Sequence, residues 1–284
     1  MRPLAIFLGV AFASSWAIAA IAFAIDPGPI ARTGLYALFM WGPALGALVA
    51  QRTAGERVLA PLGATIAPNR WWLVAWLAPL LVTFATLVIG AMMPDVTLSF
   101  DASTLLARVG EGLPASELAE AQASIASIPP PALVGLMIVQ SIIAGISINA
   151  LAAFGEELGW RGFLHVKLGH VAFWRRALLI GVIWGAWHAP VILMGHNYPA
   201  HPVLGVFMMI AFTTLLAAPF ELIRERGNSV VAASVLHGSI NATAGLAIVF
   251  LRGGSDLLVG VTGLVGFLVL AVVNVGVYLV RRRS

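Results

Sequence analysis

There is no cysteine among the 284 residues. That excludes disulfides, cysteine nucleophiles, thiolate metal sites and prenylation of the chain itself. Charge is scarce too. Asp, Glu, Lys and Arg make up 10% of the chain against 60% hydrophobic residues, where a soluble domain carries about 25% charge. A soluble fold with so few charges would expose large apolar patches and aggregate, whereas lipid as solvent removes that problem. All four aspartates (Asp26, Asp95, Asp101, Asp256) fall between apolar runs, so an aspartyl protease with two intramembrane aspartates is excluded. An HExxH zinc motif, a Gly-x-Ser-x-Gly elbow, a phosphate-binding loop and a dinucleotide fingerprint are all missing. The net charge of +4 suggests no nucleic acid, because the basic residues form no stripe with interleaved aromatics.

What is present is a series of apolar stretches near the roughly 20 residues a transmembrane helix needs. Eight qualify, at about 4–25, 34–50, 71–93, 132–154, 177–195, 203–221, 229–250 and 257–280. The expected fold class is all-α: one polytopic transmembrane bundle over 1–284, with about eight membrane helices. The first stretch has one basic residue and an alanine-rich end, but its apolar run exceeds the 7–15 residues of a signal peptide core, so it is expected to be retained. With the N-terminus inside, the inner segments hold twelve basic residues: Arg2, Arg52, Arg57, Arg70, Lys167, Arg175, Arg176, Arg224, Arg226, Arg281, Arg282 and Arg283. The outer segments hold three, Arg32, Arg108 and Arg252. Both termini are therefore expected in the cytoplasm. A compact chain without organelle signals suggests a bacterial cell membrane. The connection from Pro94 to Pro131 is acidic, with Asp95, Asp101, Glu111, Glu117 and Glu120 against Arg108. Its alanine-rich part, 115–127, is expected to form a short helix. It reads as an exposed loop, or else as a cap over an outer opening.

An ionisable side chain in a membrane helix is costly and is by default a functional hypothesis. Glu156, Glu157 and Glu221 lie within or at the ends of apolar runs, and His188 and His237 lie well inside them. Three clusters result: Phe154-Gly155-Glu156-Glu157-Leu158-Gly159-Trp160-Arg161-Gly162, Trp184-Gly185-Ala186-Trp187-His188, and His237-Gly238-Ser239-Ile240-Asn241. Glu157 and Arg161 stand four apart, so on a helix they face each other as an ion pair. Glu156 is rotated about 100° away and left for another task. His237 and Asn241 also share a face; alone they could equally be an interhelical hydrogen-bonding pair. Counted from the inner ends of their helices, His188 lies roughly 16 Å deep, His237 roughly 12 Å and Asn241 roughly 18 Å. Three helices thus present polar groups at similar depth.

In this order the clusters resemble the CAAX-prenyl-endoprotease and bacteriocin-processing (CPBP) family of intramembrane proteases, also called the Abi family. That family has Glu-Glu-x-x-x-Arg, aromatic-x-x-x-His and His-x-x-x-Asn on successive helices. Here these are Glu156-Glu157 with Arg161, Trp184 with His188, and His237 with Asn241, within a core of about 150–245. The family more often has Phe where this chain has Trp184, a change that keeps an aromatic and puts little of the resemblance in doubt. The resemblance implies an intramembrane endopeptidase acting on a membrane-associated or lipidated peptide, with the bilayer and that peptide as partners. Glu156 would activate water with His188, and His237 and Asn241 would stabilise the oxyanion. Glu157, Arg161 and Trp184 would support them. It implies no required cofactor; the alternative is zinc on Glu156, His188 and His237, a known catalytic donor set. Other readings are a non-enzymatic membrane scaffold or bacteriocin self-immunity protein, and a proton-coupled transporter. Against the last stands the absence of inverted-repeat symmetry.

Overall fold

The computed structural model describes residues 2–100, 115–126 and 128–283; Asp101, Arg108 and Glu111 of the acidic connection lie outside them. The regular structure of the described chain is helical apart from a two-residue antiparallel pairing, β1 (Thr97–Leu98) with β2 (Leu251–Arg252). In chain order the helices are α1 (Arg2–Ile25), α2 (Pro29–Phe39), α3 (Gly42–Thr53), α4 (Arg70–Gly90), α5 (Ala115–Ala126), α6 (Pro130–Ile146), α7 (Ile148–Glu157), α8 (Phe173–Trp187), α9 (Ala189–Leu193), α10 (Pro202–Arg226), α11 (Val230–Phe250) and α12 (Leu264–Arg282).

Six helical segments among the described residues are long and apolar enough to cross a membrane, with α2 and α3 together forming one. A seventh arises if α5 and α6, bent by 111° at Ile128-Pro129, count as one broken span. The described chain is a polytopic helical bundle of six or seven membrane-spanning segments. Two of the eight expected spans are interrupted. The stretch 132–154 breaks at Ser147, whose backbone leaves the helical region (φ −115°, ψ −103°). The stretch 177–195 bends at His188, where Pro190 opens the short α9 and cannot donate an N–H to the preceding turn.

Helix α11 is the centre of the bundle. It is 67% buried over its apolar window, where no other candidate span exceeds 44%, and it packs on α4, α6, α7 and α10. Ser229 starts it, its hydroxyl accepting from the Val231 N–H at 2.9 Å. Gly238 lets it cross the broken α6–α7 pair. A Cβ there would stand 2.7 Å from the Ala150 Cα and overlap the Gly145 carbonyl oxygen. Both are backbone, so relief requires a helix to move. Gly238→Ala is expected to destabilise the bundle by about 1–3 kcal/mol, the usual range for overpacking, seen as a lower melting temperature in detergent. An unchanged melting temperature would show that the crossing is loose.

Helix α10 contains Pro219, which removes the N–H that would bond the Leu215 carbonyl. In lipid such a group needs another partner, and the Asn274 side chain of α12 supplies it at 2.8 Å. The basic ends of the helices are tied together at one face of the bundle. Glu221 Oε2 accepts from Arg176 Nε (2.5 Å) and pairs with His165 Nδ1 (2.9 Å), and Arg176 Nη2 reaches Glu225 at 2.6 Å. Glu221 carried no assigned role in the sequence; it anchors this network. At the opposite face Asp256 binds the Ala200 N–H and His201 Nδ1. Partial burial pushes its carboxyl up, but His201, the Ala200 N–H and Ser255 outweigh that and hold it below the usual range.

Candidate active site

Helix α7 ends at Glu157 and continues through a π-helical stretch, Leu158–Leu164. Wider π turns occur mostly as short insertions, frequently at functional sites. The stretch is wholly buried. Gly159 brings it against α3, where a Cβ would meet the Pro43 backbone at 2.9 Å. Glu157 and Arg161 still meet across the changed helix: Arg161 Nη1 donates to Glu157 Oε1 at 3.1 Å, with both side chains fully buried. The same Oε1 pairs with His237 Nδ1 at 2.8 Å. Glu157 therefore bridges the π stretch to α11 and fixes which edge of the His237 ring faces away.

Arg161 is also held through its faces. Its guanidinium carbon lies 4.4 Å from the Trp184 ring centre and 4.2 Å from that of Phe220. Cation–π contact of this kind is strongest where water is excluded, and it suits a planar guanidinium rather than an ammonium. The Phe220 ring also stands edge-on to His237, with centroids 5.7 Å apart.

Glu156 points elsewhere, as its rotation from Glu157 requires. It is 1% exposed, and its Oε2 accepts from Trp184 Nε1 at 2.6 Å and Trp160 Nε1 at 3.3 Å. The tryptophan at 184 is thus not equivalent to phenylalanine. Its indole N–H donates a hydrogen bond that a phenyl ring cannot make. Trp160, four residues after Glu156 in the first cluster, was missed as a partner although the i,i+4 spacing was there to read. Phe220 carried no sequence signal.

Trp184 joins the remaining residues. Its carbonyl oxygen lies 2.8 Å from His188 Nδ1. A carbonyl only accepts, so the proton sits on Nδ1 and Nε2 keeps its lone pair. The Trp184 ring is edge-on to His237 at 5.3 Å and tilted to His188 at 6.0 Å. His188 sits half-buried at the α8–α9 junction, where Trp16 Nε1 of α1 donates to the Trp187 carbonyl at 3.0 Å. Glu156, His188 and His237 are therefore gathered around one indole, but neither histidine hydrogen-bonds Glu156 directly.

Asn241 stands apart. One turn beyond His237 on α11, it is exposed and lines a groove against α6 and α7. Its amide makes no hydrogen bond to the described residues.

The alternative donor set for zinc is Glu156, His188 and His237. Glu156 Oε2 takes two indole N–H groups and each histidine has Nδ1 engaged, which leaves Glu156 Oε1 and both Nε2 atoms. Among the described residues no three His, Asp or Glu side chains converge to hold a metal ion.

The fold and site together define a class: a membrane helical bundle with a buried carboxylate–imidazole cluster at the junction of its central helices. Within that class, residues 136–243 match the family of type II CAAX prenyl endopeptidases, Rce1-like. This agrees with the resemblance read from the three motifs, and the matched segment contains Glu156, Glu157, Arg161, Trp184, His188, His237 and Asn241. A curated relative, CAAX prenyl protease 2 of Methanococcus maripaludis, is 39% identical over 49 residues. That alignment covers 17% of this chain and 18% of the relative, so the chain is aligned to under a fifth of that protein's length.

Proposed function

We propose that this protein is an intramembrane endopeptidase that hydrolyses a peptide bond of a membrane-associated or lipidated peptide. The observation that carries the reading is the gathering of Glu156, His188 and His237 around Trp184, with the His188 Nε2 lone pair unused. A water molecule between Glu156 and His188 Nε2 is oriented by both. Glu156 removes one of its protons while the water oxygen attacks the peptide carbonyl carbon. The carbonyl becomes a tetrahedral oxyanion, which accepts hydrogen bonds from His237 and Asn241. His237 meets it with Nε2, because Nδ1–H is turned to Glu157, and donates there in its doubly protonated form. When the intermediate collapses, the C–N bond breaks and Glu156 returns its proton to the leaving nitrogen, giving an amine and a carboxylic acid whose remaining proton is then lost to solvent or to the amine. Arg161 and Glu157 are positioning residues that hold His237.

Support also comes from the family match, whose proteins are membrane endopeptidases. The charge asymmetry of the connecting segments puts both termini in the cytoplasm in this reading. The mechanism uses no metal. Purified protein in lipid nanodiscs is expected to cleave a farnesylated peptide at the same rate before and after EDTA or phenanthroline treatment. Loss of cleavage that zinc restores would overturn the metal-free mechanism. Failure to cleave any of a panel of lipidated and transmembrane peptides would favour the scaffold or immunity reading.

A further inference from the structure

On the far side of Asn241 from the cluster, α6, α7 and α11 line an open groove of about 520 Å³. Its walls are apolar except for Gln140 and Ser141 of α6, Asn149 of α7 and Asn241 of α11. The amides of Gln140, Asn149 and Asn241 make no hydrogen bond to the described residues. Gln140 and Asn241 are exposed and Asn149 is half-buried, so three amides that the fold leaves unused line one groove and are open to a ligand. The groove also spans the α6–α7 break, which is where non-helical backbone at membrane depth belongs: against a cavity that holds polar groups.

We propose that this groove binds the backbone of the substrate peptide in an extended form, with Gln140, Asn149 and Asn241 as its hydrogen-bonding partners. This deepens the endopeptidase reading and rests on it. A primary amide offers both N–H donors and a carbonyl acceptor, which matches the alternating C=O and N–H groups of an extended chain and is indifferent to side-chain identity. Phosphate or carboxylate ligands would instead require cations, and the groove wall has none. Asn241 lines the groove and stands one helical turn from His237 on α11, so the groove and the proposed site meet at this residue. A peptide lying in it would deliver its carbonyl past Asn241 towards His237 and Glu156. Ile125 of α5 and Ile128 line the groove at the end away from the basic helix termini. The peptide would enter between α6 and α11 from that side.

The test measures binding apart from cleavage. The Glu156→Gln protein in nanodiscs is titrated with a fluorescent farnesylated peptide, and with the same peptide N-methylated at successive backbone nitrogens. Gln140→Leu and Asn149→Leu, each added to Glu156→Gln, are expected to weaken binding about tenfold, the effect of one good hydrogen bond. N-methylation at the matching position should weaken binding to the parent by a similar factor, and add little in the variant that has already lost the partner. A merely structural role for the amides would weaken every peptide equally, without that coupling, and would overturn the proposal. So would unchanged affinity in both variants, as expected if the groove only holds water. Failure of the hydrolysis reading has a different signature: wild-type protein that leaves the peptide intact while binding still depends on Gln140 and Asn149.

Discussion

Glu156→Gln is expected to lower peptide cleavage by about 10²–10⁴-fold, the range attributed to a positioned general base, with no loss of folded protein. The amide oxygen of glutamine still accepts from Trp184 Nε1 and Trp160 Nε1, so the two indole bonds at 2.6 and 3.3 Å survive the exchange. What is lost is the ability to take a proton from water. The effect should fall on kcat, with KM for the peptide close to wild type, because Glu156 is reserved for the reaction and not for binding. Rapid cleavage by a well-folded Glu156→Gln protein would remove the proposed base. His188→Ala should act in the same direction, since it deletes the second group that orients the water.

Arg161→Ala has the largest expected effect on stability. The side chain is fully buried, bonded to Glu157 and enclosed by Trp184 and Phe220. Removing it leaves a buried carboxylate with His237 as its remaining described partner. Breaking a buried ion pair in this way costs about 3–5 kcal/mol, and the melting temperature in detergent should fall steeply. The double variant Glu157→Gln with Arg161→Met removes both charges and keeps the volume, so most of that loss should be recovered. Activity should not recover with it, because His237 Nδ1 has then lost the carboxylate at 2.8 Å that sets its orientation. Recovery of both stability and activity would show that the pair has a structural role only.

The sequence made the membrane setting and the three polar clusters legible, for two physical reasons. Apolar length reports the bilayer directly, and charged groups inside such runs are rare enough to single out. The Glu157–Arg161 contact followed from spacing alone and forms even though the helix widens to π geometry between them. The break at Ser147 was hidden because nothing in an apolar run marks it; it arises where Gly145 and Gly238 bring two helices into backbone contact. The hydrogen bond from Trp184 to Glu156 was hidden for a related reason. Periodicity gives the face a residue occupies, but not which atom of a neighbouring helix meets it. Asn241 illustrates the same limit: the i,i+4 spacing put it on the His237 face, while the packing of α6 and α7 determines that it opens into a groove.

The central claim is that Glu156 drives attack of water on a peptide bond inside the membrane. The most direct measurement is mass spectrometry of a farnesylated peptide after incubation with the protein in nanodiscs made up in H₂¹⁸O. Wild-type protein should yield two fragments, with one ¹⁸O in the new carboxylate and none in the new amine, and Glu156→Gln should leave the peptide intact. Labelled fragments at equal rates from both proteins, or an intact peptide with wild type, would contradict it.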